Sequence, residues 1–145
     1  MVMGFTTDLL TGVAQLLDAE TDAVWDPDSA YEDEDIGIVL GVPTQSPPSL
    51  IALSAYGNVD DPSLSDSDVM VQARVRGPDA DPRKADDLAD DVFDALQGLR
   101  TTVNGIRIRY GKRNSTFPLG IDGNGRQERT DNYELAVHRP STHRE

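Results

Sequence analysis

Apolar and polar residues alternate most cleanly in the middle of the chain, where Val69, Val71, Ala73 and Val75 are separated by Met70, Gln72, Arg74 and Arg76. A period of two predicts a strand with one face in a core and the other in water. Gly77 and Pro78 end it. The period then changes to that of a helix: Ala85, Leu88, Ala89, Val92 and Leu96 form one stripe, with Phe93 at its edge and Asp86, Asp87, Asp90, Asp91 and Asp94 around the rest. Asp81 as cap, Pro82 in the first turn and Gly98 at the end bound that helix.

The same reading places a first helix up to about Ala19, capped by Thr6 or Thr7, with Leu9, Val13, Leu16 and Leu17 on one face and Gly12 as a weak point. Ile36, Ile38 and Leu40 mark a strand that stops before Pro43, and SLIALSAYG (49–57) marks another. Val103, Ile106, Ile108 and Tyr110 belong to a further strand, with Gly105 as a potential bulge. Tyr133, Leu135 and Val137 give a last one-sided strand, with Glu134, Ala136 and His138 facing water. Between these two lies a Gly/Asn/charged stretch, about 111–132, that reads as a long, hairpin-like polar excursion, a length of loop that is usually functional or disordered. Helix, strands, helix, strands predicts an α+β fold: a mostly antiparallel sheet with two main helices packed on one face.

At 145 residues the chain is of single-domain size, and one domain is expected over 1–145. There is no run of apolar residues long enough to span a bilayer and no basic, apolar leader at the N-terminus, so no membrane partner is expected and synthesis in a cytoplasm is. With no cysteine, disulfides and thiolate chemistry are excluded. The net charge of −13 is unevenly divided: residues 1–98 carry −17 and residues 99–145 carry +4. Such a bipolar chain disfavours specific nucleic-acid binding, which needs a concentrated basic field. If the two halves form different faces, the division favours head-to-tail association of copies; a merely solvated surface would carry the same charges.

Catalytic chemistry finds little support. His138 and His143 are the only histidines, and no nucleophile elbow, phosphate loop or metal-spaced histidine pair occurs. Asp122, Asn124 and Glu128 supply short oxygen ligands, but position twelve counted from Asp122 is Tyr133 where a calcium loop needs Glu. A turn with Asn124 and Gly125 at positive φ accounts for the same residues. The consecutive acids Glu32, Asp33, Glu34 and Asp35 read as a hydrated loop, and the five aspartates of the second helix as a solvated face or a surface for a basic neighbour. No catalytic, cofactor-binding or metal residues are assigned. The candidate site is instead an interface: Asp122, Asn124, Arg126, Glu128, Arg129, Asp131 and Asn132 on the polar excursion, with Arg107 and Arg109 on the adjoining strand, offer charges of both signs.

The stretch DPRKADDLADDVFDALQG followed by PLGIDGNGRQERTDNYELAVHRP resembles small minor capsid or tail-terminator proteins of long-tailed actinobacterial bacteriophages, and FTTDLLTGVAQLLDA, WDPDSAY and SDSDVMVQARVRG extend that likeness over nearly the whole chain. The resemblance implies a virion structural protein of the neck, with an α+β fold and neither catalysis nor cofactor. It implies a homo-oligomeric, hexameric ring that caps the head-proximal end of the tail tube, stops its polymerisation and joins tail to head. Its partners would be the tail tube protein and the head connector or stopper protein, with DNA passing through the ring. A head-completion protein is the nearest alternative, and a small non-viral binding module a more distant one.

Overall fold

The computed structural model describes residues 4–143. Its elements are α1 (Phe5–Glu20), β1 (Ile36–Leu40), β2 (Ser49–Asp60), β3 (Asp66–Arg76), α2 (Pro82–Leu96), β4 (Thr101–Val103), β5 (Ile106–Ile121) and β6 (Gln127–His138). The strands form one sheet in the order β1-β2-β3-β6-β5-β4. Every neighbouring pair is antiparallel except β1 with β2. This is the α+β arrangement expected from the hydrophobic pattern.

The core lies between the sheet and the two helices. Leu9, Val13 and Leu17 of α1 and Leu88, Ala89, Val92 and Leu96 of α2 meet Ile51, Leu53, Val71, Ala73, Tyr133 and Leu135, all buried. Tyr133, the largest of the fully enclosed side chains, has its hydroxyl pushed to a higher pKa chiefly by that burial. Helix α2 starts as predicted: the Asp81 carboxylate accepts the Arg83 backbone N–H at 3.0 Å, and Pro82 occupies the first turn. Helix α1 does not. Its N-cap is Gly4, which makes no side-chain cap, and Thr6 and Thr7 lie inside the helix. Leu16 is only half-buried, and Leu10 and Ala14 take its place in the core.

The largest difference concerns residues 111–132. The hairpin-like excursion is mostly paired strand rather than loop: β5 runs on to Ile121, β6 begins at Gln127, and only residues 122–126 form the turn. A strand here tolerates Gly, Asn and Pro because β5 lies near the sheet's edge and its register shifts three times against β6. Gly105 is not a bulge; with Asn104 it forms the positive-φ turn that splits β4 from β5. In the hairpin tip Gly125 has positive φ and Asn124 does not.

Residues 41–48 connect β1 to its parallel neighbour β2 as a strap over the face opposite the helices. Arg76, predicted to be solvated, is 4% exposed beneath it and donates to the carbonyls of Gln45, Pro47 and Pro48 at 3.3, 2.7 and 2.8 Å. Those bonds replace water for backbone groups that the crossover would otherwise leave unsatisfied. Ala136, also expected in water, is buried.

Candidate assembly interface

The hairpin β5–β6 holds most of the charged residues singled out from sequence, and their positions follow from strand alternation. In β6, Arg129, Asp131 and Tyr133 are paired opposite Val75, Ala73 and Val71 of β3, which places them on the helix-covered face. Asp131 is fully buried there. Its carboxylate takes two bonds from Arg129, at 2.9 and 3.0 Å, and one from Arg113 of β5 at 3.4 Å. Arg129 continues to Asp86 on α2 at 3.1 Å, and the Arg113 guanidinium lies 4.3 Å from the Phe93 ring centre on the same helix. This network therefore ties the hairpin to α2.

On the opposite face Glu128 is buried and takes a forked pair of bonds from Arg74, at 2.9 and 3.2 Å. Asn132 donates to Ser115 Oγ at 3.0 Å. At the tip, Asp122 accepts the backbone N–H groups of Asn124 and Arg126, each at 2.9 Å, and the Arg126 guanidinium at 3.0 Å. Arg126 also donates to the Gln45 carbonyl at 2.6 Å, and Asn124 Nδ2 to Gln45 Oε1 at 3.2 Å. Arg109, the extra residue of a bulge, reaches Asp66 at 2.6 Å. Of the nine residues in the sequence-derived site, Arg107 and Asn124 are exposed among them, as is Arg109, while Glu128, Asp131 and Asn132 are buried. The charged groups from Asp122 to Asp131 thus have partners inside the subunit.

The hydrogen bonds at the tip hold the Asp122 carboxyl below its ordinary value of 3.8, the Arg126 backbone N–H contributing most. Such a group stabilises the fold above the unfolded pKa, and that contribution is lost as pH falls through the lower folded value. Asp66 is lowered in the same way, first by His138, whereas burial raises Asp68 and Asp91 and opposes the trend. Asp122→Asn should therefore lose less stability than the wild type when urea unfolding is compared at pH 5 and below pH 3. An equal loss in both proteins would show that the tip carboxylate does not contribute.

Sequence reading missed the exposed apolar residues of β5. Phe117, Leu119 and Ile121 are 55, 45 and 58% exposed. They were discernible as three apolar residues at spacing two within a stretch read as polar. They lie near one edge of the sheet, and that edge is basic: residues 99–121 contain Arg100, Arg107, Arg109, Lys112 and Arg113 and no acid. The β1–β2 side is the reverse. No Lys or Arg occurs before Arg74, and the loop before β1 carries Asp26, Asp28 and the four acids 32–35. The unequal halves of the sequence thus become oppositely charged edges of one sheet.

Beside β1 an open groove of about 370 Å³ is lined by Trp25, Pro27, Tyr31, Val39 and Leu40 among others, with Asp26 as its one carboxylate. Titratable groups do not converge there as an active site would require. Among the described residues no group of three His, Asp or Glu side chains is placed to hold a metal ion, and no helix is long and apolar enough to cross a membrane.

The family model described as bacteriophage tail terminator protein matches residues 15–139. The chain belongs to that family. Membership makes this tail terminator a virion component. In fold it is similar to a chain from a structure titled "Virion of native gene transfer agent (GTA) particle", with a TM-score of 0.64 and 15% identity over 94% of this chain and 98% of that one. No curated protein matches it in sequence.

Proposed function

We propose that this tail terminator assembles as a six-membered ring on the head-proximal end of the tail tube, stops its polymerisation and presents the surface to which the head connector attaches. The family match over residues 15–139 carries the role. Oppositely charged edges of one sheet support the ring, because copies that meet through two different surfaces associate head to tail and close by rotation. DNA passes through the ring without base-specific contacts, and no catalysis is involved. The tail tube protein and the head connector or stopper protein are the partners.

Electron microscopy of particles from a phage lacking the gene tests this reading. Heads without tails beside tubes of scattered, abnormal length are the expected result. Free tails of normal length beside unconnected heads would reassign the protein to head completion, and normal infectious virions would sink the structural role.

A further inference from the structure

Two strand edges are left open on opposite sides of the sheet. β4 pairs with β5 only at residues 106–108. The turn after α2 then covers β5 as far as Arg113, through Gly98 N–H to the Gly111 carbonyl at 2.8 Å and Arg113 N–H to Gln97 Oε1 at 2.8 Å. From residue 114 to 121 no described strand lies beyond it. On the other side β1 pairs with β2 at residues 49–53, the Gly41 N–H adds one bond to Leu53, and residues 54–60 have no described strand beyond them. Open edges this long are templates for strand addition unless something covers them.

We propose that a second copy of this chain covers each edge: β5 residues 114–121 of one subunit add antiparallel to β2 residues 54–60 of the next, joining the sheets around the ring. The inference rests on the ring reading above. Direction agrees, because β2 and β5 already run antiparallel within one sheet through β3 and β6, so rotation of one copy onto the next brings their edges together antiparallel. Facing agrees as well. Within one subunit Phe117 lies level with Ala52, by way of Thr130 and Arg74. Setting it instead beside Gly57 keeps both on the face away from the helices, whereas a one-residue slip would reverse every side chain. The Phe117 ring then covers an edge glycine whose face is open apart from Met70.

Tyr56 has no partner in β3, so that register shifts each sheet against the next by about four residues, roughly 14 Å along the strands. Four strands per subunit span about 19 Å across the sheet. The resulting tilt, about 36°, falls in the range by which sheets close into barrels, so the offset between the two open edges is what closure needs. Charge agrees too: at the far end of the joint, past the register shift at Asn114, Arg113 comes beside Asp60 and Lys112 beside Asp61. Pro118 removes one donor from the ladder, so the residues on either side of it make the bonds. A joint shortened in this way suits a protein that assembles on the tube end rather than polymerising alone.

The absence of cysteine makes the test direct. A phage carrying Asn58→Cys with Thr116→Cys should yield virions in which oxidation produces a ladder of covalent oligomers up to the full ring, reversed by reductant. Each single variant, and the pair Asn58→Cys with Thr102→Cys, should stay monomeric on the gel. Virions with tails of normal length and no ladder would overturn the joint while leaving the ring intact; one copy of the protein per tail by quantitative mass spectrometry would overturn the ring itself. If the cysteines prevent assembly, charge reversal gives an independent reading. Lys112→Glu should lower the yield of tails of correct length at least ten-fold and added Asp61→Lys should restore it, and lack of rescue counts against the joint.

Discussion

Asp131→Ala should lower the stability of the tail terminator more than any other single removal of a charged group. The carboxylate is fully buried and lies between Arg113 and Arg129, whose side chains are 29 and 15% exposed. Alanine leaves both guanidiniums sequestered without their shared anion, and Arg129 keeps only Asp86, which is 55% exposed and well hydrated. Breaking a buried pair from one side typically costs about 3–5 kcal/mol. At roughly 3 °C per kcal/mol for a chain of this size, the midpoint of thermal unfolding should fall by about 10 °C. The same physics predicts that Arg129→Met with Asp131→Leu recovers the part of the loss that comes from Arg129, because an apolar pair of similar volume needs no counter-charge, while Arg113 still lacks its anion. If Asp131→Ala melts within 2 °C of the wild type, the network does not hold the hairpin to α2.

A second large effect is expected at Gly111, where the reason is space rather than charge. A Cβ built there would lie 2.5 Å from the Leu96 carbonyl oxygen, 3.2 Å from Leu135 and 3.3 Å from Leu99. The carbonyl belongs to the last turn of α2 and already accepts the Leu99 N–H at 3.2 Å, so it has little freedom to withdraw. Gly111→Val must therefore push the end of α2 off β5, and overpacking of this kind costs about 1–3 kcal/mol or more. Gly123→Ala is the matched control. Nothing lies within 4 Å of its Cβ and its φ is not positive, so its stability should stay within about 0.5 kcal/mol of the wild type. Urea unfolding of the two variants separates a required close approach from a general need for glycine in the hairpin.

The contrast between β3 and β5 shows what the sequence could tell. β3 lies in the middle of the sheet with one face in the core, so burial imposes strict alternation on residues 69–75, and the strand is legible without its neighbours. The helix Pro82–Leu96 is equally plain because its stop and start signals are local. β5 has neither advantage. Past Tyr110 it is mostly exposed, three bulges break its alternation, and its strand conformation depends on pairing with β6, a contact that composition does not encode. Read alone, such a segment resembles a loop. The inward placement of Arg129 and Asp131 is hidden for a related reason: both are polar, yet spacing two on a strand whose next inward residue is Tyr133 puts them on the helix-covered face. The charge division was legible; its distribution onto two sheet edges needed the strand order.

Hairpin tips are usually where a domain accepts an insertion most readily, since the added chain projects into solvent. The turn 122–126 is an exception built from Asp122 and Arg126. It closes on itself through one carboxylate and fastens to Gln45, the middle of the strap whose carbonyls shelter Arg76. An epitope or fluorescent label placed in this turn would release the strap and expose a guanidinium that the fold keeps dry, so a visible tag on this protein belongs elsewhere on its surface.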